Sequence, residues 1–418
     1  MASIGPHAPS TVGHPARPNL PSAPPSFHVL AKPTGAICNL DCSYCFFLSK
    51  EDLYPGSPFR MSDELLDEYI RQLLESHRTP EVTVAWQGGE PTLMGLEFFR
   101  RVVQCVGMHR RADQVVEHTI QTNATLIDDD WAAFLAEHDF LVGISIDGPR
   151  ELHDVYRVDK GGKPSFDRVM AGLDQLKAHG VRWNALTTVH HANEEHGLHV
   201  YRFLRDDLGA EFIQFIPIVE RPSPGGIPTG SQVTERSVSP AWYGRFLNEV
   251  FDEWVRHDVG RVFVQMYDST LASFVGAPGA LCVHARTCGT ALALEHNGDL
   301  YSCDHFVEPE HLLGNITQTH LLELVASGQQ RAFGNAKNDS LPEYCRSCDV
   351  RFACNGGCPK DRFAITPDGE PGLHYLCPSY QSFFRHVDRP MRFMTGAVRT
   401  GRPADEVMAW IARQDQRS

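Results

Sequence analysis

The chain has 418 residues, of which 42% are hydrophobic and 22% charged, a globular composition that excludes collagen-like and wholly disordered proteins. Its 38 Lys and Arg residues against 52 Asp and Glu residues give a net charge of −14, so we expect no nucleic-acid partner. No apolar run approaches the roughly 20 residues of a membrane-spanning helix, so we expect no membrane partner either. This length allows two or three domains, or one large barrel with an appendage.

The start of the chain and the cysteines indicate a cytoplasmic protein with metal centres. Residues 1–26 are rich in Pro, Ser, Ala and His and lack an apolar segment, which predicts a disordered tail rather than a signal peptide. Cytoplasmic thiols are reduced, so clustered cysteines there indicate metal binding rather than disulfides. Of the 12 cysteines, three lie at 38–45 and eight at 282–377, while Cys105 lies in an apolar helical stretch and is interpreted as a core residue.

Before residue 260, six β-rich runs alternate with amphipathic segments, which predicts parallel βα units. The predicted strands are 27–33, 82–87, 118–123, 141–147, 181–189 and 211–219. Ser62 is a good N-cap for the first helix, and Gly180 is a natural C-cap for the helix that begins near Phe166. Six units are two fewer than a closed eightfold barrel contains, so the predicted fold class is α/β with an open, partial (β/α)6 barrel.

The second part of the chain has a different character. A Pro-, Gly- and Ser-rich loop is predicted at 221–240, before the sixth helix. From about residue 270, glycines, short strands and cysteines predict a small domain without a large core, which metal sites would help to fold. The predicted domains are 27–265 for the barrel, 266–395 for the cysteine-rich domain and 396–418 for a helical tail.

The first cysteines form a C-x3-C-x2-C pattern, Cys38, Cys42 and Cys45, directly after the first predicted strand. Thiolates are soft ligands for iron–sulfur clusters or zinc, and three of them leave one position of a four-iron cluster open. The spacing favours such a cluster, with structural zinc and reactive thiols as alternatives. With Tyr44 before the last cysteine, the pattern resembles the radical S-adenosylmethionine (SAM) enzymes. That resemblance implies a 4Fe–4S cluster that binds SAM at its open iron.

Other segments fall where the radical SAM family contacts its cofactor. Two glycines after the second strand let backbone approach a ligand closely. Polar residues follow the later strands, and the resemblance implies that they contact the ribose or carboxylate of SAM; ordinary surface polar residues are the alternative. The SAM contacts implied in this way are Gly88, Gly89, Glu90, Asn123, Ser145 and Arg157.

The eight later cysteines make two sets of four, the number that two fully ligated clusters need. Their spacing resembles the SPASM domain of peptide-modifying radical enzymes; two zinc ribbons are the alternative. By this resemblance the sets interleave, and three 4Fe–4S clusters are implied in all. The first auxiliary cluster takes Cys282, Cys288, Cys303 and Cys358, and the second takes Cys345, Cys348, Cys354 and Cys377.

Five segments are most similar to the anaerobic sulfatase-maturating enzymes: CNLDCSYCFFLSKEDLYP, WQGGEPTLMG, QTNATL, ISIDGP and LYSCDHFV. This resemblance covers residues 27–395 and implies oxidation of a Cys or Ser in a sulfatase polypeptide to Cα-formylglycine, with SAM cleaved to methionine and 5′-deoxyadenosine. It also implies an external one-electron reductant of the flavodoxin or ferredoxin type. The alternatives are a SPASM maturase that crosslinks another ribosomal peptide, and an iron–sulfur electron carrier that is not an enzyme.

The same resemblance implies the residues that act on the substrate. Asp304 stands where the family's proposed catalytic base stands, and desolvation beside a cluster is expected to raise its proton affinity; a surface carboxylate is the alternative. Gln87 and Phe47 face the expected substrate region, although many relatives have Tyr in place of Phe47. Four histidines at 190–199 lack the converging arrangement of a zinc site and are interpreted as surface residues at the start of a helix.

Overall fold

The structure, a computed structural model, describes residues 18–21, 23–222, 228–277 and 281–416. One ten-stranded sheet organises it, with the spatial order β10-β9-β8-β1-β2-β3-β4-β5-β6-β7, and β11 and β12 form a separate hairpin. The strands are β1 (His28–Lys32), β2 (Glu81–Trp86), β3 (Val115–Thr122), β4 (Leu141–Ser145), β5 (Trp183–Val189), β6 (Phe212–Pro217), β7 (Phe263–Val264), β8 (Ala291–Glu295), β9 (Asp299–Tyr301), β10 (Leu312–Asn315), β11 (Ala364–Ile365) and β12 (Pro371–Leu373).

Helices follow the barrel strands and make up most of the chain's end. They are α1 (Asp63–Ser76), α2 (Leu96–His109), α3 (Asp129–Glu137), α4 (Arg150–His153), α5 (Phe166–Ala178), α6 (Gly197–Arg202), α7 (Pro240–His257), α8 (Gln265–Val275), α9 (Leu321–Val325), α10 (Gly328–Asp339), α11 (Glu343–Arg346), α12 (Arg351–Cys354), α13 (Cys377–His386), α14 (Asp388–Arg399) and α15 (Glu406–Asp415). Within the described ranges, no helix has the length and apolar character that crossing a membrane requires.

Strands β1 to β6 are parallel neighbours and form the predicted partial barrel. All six predicted strands are confirmed, with ends that differ by at most three residues. The hydroxyl of Ser62 accepts a hydrogen bond from the Leu65 N–H at 3.2 Å and caps α1 as predicted. Gly180, at φ +67°, follows the end of α5, where a left-handed residue ends a helix at little cost. Local patterns therefore predicted the barrel elements correctly.

The cysteine-rich region continues the barrel sheet. Strand β8 pairs in parallel with β1 from His28↔Ala291 to Lys32↔Glu295, and β9 and β10 follow in antiparallel pairing. Side chains of β8, such as Leu292 and Leu294, lie in the same buried core as the barrel residues. The expectation of a region without a large core is wrong here, because short strands can bury apolar side chains by joining an existing sheet.

The ends of the chain also differ in part from the prediction. Ala23 is buried, and the guanidinium of Arg78 donates hydrogen bonds to the carbonyls of Ala23 at 2.5 Å and Pro21 at 3.2 Å. The prediction of a disordered tail is therefore wrong for residues 18–21 and 23–26. The Ala23 side chain is buried there, and the carbonyls of Pro21 and Ala23 are hydrogen-bonded to Arg78 of the barrel. Residues 1–17 and 22 lie outside the described residues, as do 223–227 of the predicted loop.

Candidate active site

A cavity of about 380 Å³ lies where the barrel strands β1 to β6 end. Lys32 and Ser145 are the last residues of β1 and β4, and Gln87 and Asn123 directly follow β2 and β3. The carboxyl ends of parallel strands meet at one edge of the sheet, so the residues that follow them converge. Residues of the cysteine-rich region, among them Asp304, close the opposite side.

Every residue that the resemblance assigned to SAM or substrate lines this cavity, and so do the three cysteines of the first group. Their roles stay predictions, but the structure brings them into one space. They are Cys38, Cys42, Cys45, Phe47, Gln87, Gly88, Gly89, Glu90, Asn123, Ser145, Arg157 and Asp304.

The three thiols of the first group are partly buried, which favours their protonated forms. Burial raises the pKa of Cys38 and of Cys42 to about 12, and it also raises the pKa of Cys45. Soft ligands of this kind release their protons when a metal binds. Three convergent thiols that open onto a cavity therefore fit a cluster whose remaining iron faces a ligand.

The glycine turn after β2 packs against the loop that leads to the first cysteine. The Gly89 N–H donates to the Gly35 carbonyl at 2.8 Å, and the Glu90 N–H donates to the Ile37 carbonyl at 2.9 Å. A Cβ at Gly89 would lie 2.0 Å from the Ile37 oxygen, a distance that no side chain tolerates. This glycine is therefore required by the chain's own backbone beside Cys38.

Glu90 joins the ends of β2 and β3. Its buried carboxylate accepts hydrogen bonds from the Thr92 N–H and hydroxyl, the Thr122 hydroxyl and the Asn123 N–H, at 2.6–3.0 Å. Burial raises the pKa of Glu90, although these donors oppose that effect. With four protein donors, the carboxylate fixes the backbone around the predicted cofactor contacts.

Two further predicted residues are held by amide side chains. The Asn123 amide donates to Asn39 Oδ1 at 2.8 Å and lies 3.7 Å from the Cys38 sulfur. The Ser145 hydroxyl accepts from Gln121 Nε2 at 3.0 Å. A Cβ at Gly143 would lie 2.0 Å from the Gln121 amide oxygen, so this glycine makes room for Gln121 across β4. Both predicted contacts are thus oriented before any ligand binds.

Arg157 belongs to a buried ion pair that the sequence did not reveal. Its guanidinium donates to both carboxylate oxygens of Asp147 at 2.8 and 3.1 Å, and the Tyr44 hydroxyl donates to the same carboxylate. Burial raises the pKa of Asp147, but Arg157 outweighs it and holds that pKa well below its usual value. The charged pair connects the segment after β4 with the aromatic residue between Cys42 and Cys45.

Asp304 pairs with Lys32 in the wall of the cavity, with 2.5 Å between Nζ and Oδ1. Lys32 is 1% exposed, and its ammonium lies 3.8 Å from the centre of the Phe47 ring, a cation–π contact. Burial raises the pKa of Asp304, but Lys32 and then His305 outweigh it and hold that pKa below its usual value. The expected rise in proton affinity is therefore wrong, because Lys32, a charged residue that ends an apolar strand, is buried beside the carboxylate.

The eight later cysteines form two groups in space. Cys345, Cys348, Cys354 and Cys377 line one small cavity. Burial raises the pKa of every thiol for which a shift is resolved; beyond burial, Cys358 and Cys282 raise the pKa of Cys303, and Cys288 raises that of Cys358. The second set therefore lies together, and the assignment of each set to a cluster stays a prediction from the resemblance.

The interpretation of the histidines at 190–199 as surface residues is wrong for His190, which directly follows β5 and is fully buried, edge-on against Tyr156 and 3.6 Å from Asp147. His191 and His199 are exposed and pair with different glutamates, Glu194 at 3.0 Å and Glu151 at 3.1 Å. Across the described part of the chain, no three His, Cys, Asp or Glu side chains are placed to hold a single metal ion. Cys105 is 3% exposed inside α2, as predicted.

Comparisons with known proteins identify the family. The Radical SAM superfamily model matches residues 33–204, and the SPASM iron-sulfur cluster-binding domain model matches residues 282–349. A serine-type anaerobic sulfatase-maturating enzyme of Bacteroides thetaiotaomicron is 46% identical over 377 residues, which are 88% of this chain and 91% of that protein. The chain belongs to the anaerobic sulfatase-maturating enzymes. As a radical SAM enzyme with a SPASM domain, it uses SAM and 4Fe–4S clusters.

Other members of the family are less similar. A cysteine-type enzyme of Clostridium perfringens is 32% identical and covers 87% of this chain and 96% of its own. The solved structure "Native anSMEcpe with bound AdoMet" is 31% identical, with a TM-score of 0.80 over 88% of this chain and 99% of its own. Streptococcus suis SuiB bound to its precursor peptide SuiA is 16% identical at a TM-score of 0.59, so it shares only the fold.

We expect Gly89→Ala to weaken SAM binding by about 10²-fold, the effect of an ångström-scale displacement in a binding site. The added Cβ must push the backbone that precedes Cys38. Gly107→Ala is the control, because its Cβ meets nothing within 4 Å in α2. Calorimetric titration of the anaerobically reconstituted variants measures the affinity, and equal affinities in both variants would contradict the role of Gly89.

Proposed function

We propose that the enzyme oxidises a Cys or Ser side chain of a sulfatase to Cα-formylglycine in the cavity described above. The main observation that supports this proposal is that Asp304, from the cysteine-rich region, lines the same cavity as the three cysteines at the barrel end. A base and a SAM-binding centre then face one substrate residue. Since the most similar relative described above is serine-type, a serine peptide is the first substrate to test.

When bound, the first cluster and SAM supply the radical chemistry that removes a hydrogen atom from the substrate β-carbon. Asp304 takes the hydroxyl or thiol proton, and the one remaining electron would pass to an auxiliary cluster. A Ser substrate then has its aldehyde, whereas water must still replace the sulfur of a Cys substrate, which leaves as sulfide. Its carboxylate is charged at neutral pH because Lys32 holds its pKa low, and the adjacent ammonium fixes its position. Phe47 covers the Lys32 ammonium and helps to keep water from this pair.

The opposite wall orients the cofactor. Arg157 presents a fixed cation for the carboxylate of SAM, because Asp147 already holds its guanidinium. The backbone at Gly88 and Gly89 and the side chain of Asn123 complete this wall, with Glu90 holding them in place. Residues fixed before binding lower the entropic cost of aligning SAM with the substrate.

We also propose three 4Fe–4S clusters, with the two auxiliary clusters fully ligated by the interleaved sets of four cysteines. Full ligation fits electron transfer better than substrate binding. An external one-electron reductant of the flavodoxin or ferredoxin type would supply the electron that reduces the first cluster. A cytoplasmic location, where thiols stay reduced, is part of the proposal. The crosslinking alternative is less well supported, since the relatives described above at 30% identity or more are sulfatase-maturating enzymes.

The product assay tests the function. Peptides with Ser or Cys, followed two residues later by Pro and two further on by Arg, should gain the mass and reactivity of an aldehyde when incubated anaerobically with the enzyme, SAM and a reductant. Peptides in which Ala replaces that Pro and Arg should react poorly, and mass spectrometry measures both. A crosslink in an unrelated leader peptide, with no aldehyde in the sulfatase peptide, would favour the other maturase function.

Metal analysis tests the number of clusters. Three clusters of four irons predict about twelve iron and twelve sulfide per chain. Replacing Cys38, Cys42 and Cys45 by Ala should leave about eight irons and abolish 5′-deoxyadenosine formation, because only the first cluster binds SAM. About four irons in the wild type, or stoichiometric zinc, would refute the auxiliary clusters.

The variant Asp304→Asn tests the base. It keeps the size of the side chain but cannot take a proton, so formylglycine should fall by about 10²–10⁴-fold, while SAM is still cleaved. Chromatography of 5′-deoxyadenosine against aldehyde should show the two uncoupled. Glu310→Gln, an exposed carboxylate on the same segment, is the control. Wild-type product yield from an iron-replete Asp304→Asn enzyme would exclude this role.

A further inference from the structure

Helix α10 buries an unusual face. Its buried residues are Gln330, Gly334 and Lys337, which follow one another at intervals of four and three and therefore share one side of the helix. A helix packed on a protein core normally buries apolar side chains there. A buried face of an amide, a glycine and a lysine indicates that this side of α10 contacts polar groups.

Those neighbours are the loops that carry the first auxiliary set of cysteines. The Gln330 amide donates to the carbonyls of Gly289 and Ser302, both at 3.1 Å, directly beside Cys288 and Cys303. Helix α10 therefore connects two of the loops that hold the predicted ligands.

The middle residue of this face allows the closest approach. The Gly334 carbonyl accepts from the Cys288 N–H at 3.1 Å. A Cβ at Gly334 would lie 2.6 Å from the Cys288 oxygen, so only glycine lets the helix approach this closely.

Lys337 adds a positive charge beside the loop that carries Cys282. Its side chain is fully buried, and its ammonium donates to the carbonyls of Cys282 and Val283. Among the residues that the structure describes, no Asp or Glu forms an ion pair with it, and the groups whose negative charge would act on it are cysteines. A buried charge without a counter-ion is costly. The thiolates of Cys282, Cys288 and Cys358, which lie near the ammonium, would supply the missing negative charge when they bind iron.

Arg362 places a second cation between the two sets. Its guanidinium donates at 2.6–3.1 Å to the carbonyls of Lys337 and of the loop 355–357. That loop connects Cys354 of the second set with Cys358 of the first. In the described ranges Arg362, too, has no ion pair with an acidic side chain, since its guanidinium donates to backbone carbonyls. Cysteines of both sets are its electrostatic neighbours.

We propose that Lys337 sets the reduction potential of the first auxiliary cluster and that Arg362 raises the potentials of both. This inference rests on the two auxiliary clusters of the proposed function. A fixed positive charge beside a cluster stabilises the reduced form, which carries one more negative charge, and this effect is strong where water is excluded. A higher potential makes each cluster a better acceptor for the electron that substrate oxidation releases.

Redox titration of the reconstituted full chain, followed by electron paramagnetic resonance, tests this with Lys337→Gln and Lys337→Arg. In Lys337→Gln, the reduced-to-oxidised ratio of one auxiliary cluster at a fixed potential should fall by about tenfold, or about 59 mV for one electron. Lys337→Arg, which keeps the charge, should restore it, and Arg362→Gln should lower the ratio of both clusters. Arg331→Gln, on the exposed face of the same helix, is the control and should change neither.

Iron analysis of each sample separates charge from shape. Loss of about four irons from Lys337→Gln but not from Lys337→Arg would also support the proposal, since the charge would then hold the cluster. Loss of iron from both variants would overturn the proposal, because the shape of the lysine side chain and not its charge would then hold the cluster. Wild-type potentials in an iron-replete Lys337→Gln enzyme would overturn the proposed role of Lys337 without contradicting the proposed formation of formylglycine. A wild-type chain with about four irons would instead overturn the cluster assignment itself.

Discussion

The ion pair between Lys32 and Asp304 depends on the pairing of β8 with β1. Because β8 adds to the open edge of the barrel sheet, the segment that follows β9 reaches the end of β1, where Lys32 lies. Neither region forms the cavity alone: the barrel contributes the three cysteines and the cofactor wall, and the cysteine-rich region contributes the carboxylate. A shared core keeps the two halves in register, so the distance between the predicted base and the predicted SAM site is fixed by folding.

Three of the carboxylates that line or support this cavity have different surroundings, which give each a different role. Glu90 accepts four protein hydrogen bonds, so it holds backbone. Asp147 is saturated by Arg157, Tyr44 and the Thr188 N–H. Asp304 has one cation beside it and lines the open space. Similar groups with different partners acquire different chemistry, and of these three Asp304 is the one that combines charge with room for a substrate proton.

The sequence predicted the barrel and the cysteine groups because both are local signals. Strand and helix periods, the Ser62 cap and the cysteine spacings are readable from a few neighbouring residues. The joining of β8 to β1 is a contact between segments more than 200 residues apart, and no local pattern encodes it. Consequently the burial of Lys32 and its effect on the pKa of Asp304 were missed. The ion pair of Arg157 with Asp147 spans only ten residues and the contact of Ala23 with Arg78 spans 55, but no cap or periodic pattern encodes either of them.

The most direct test of the proposed chemistry follows a single hydrogen atom. A serine sulfatase peptide carrying deuterium on the β-carbon of its target residue is incubated anaerobically with the reconstituted enzyme, SAM and reductant. If the cavity brings the substrate β-carbon to the SAM site, mass spectrometry will find deuterium in 5′-deoxyadenosine in step with aldehyde formation. Aldehyde accompanied by unlabelled 5′-deoxyadenosine would contradict hydrogen removal at this site.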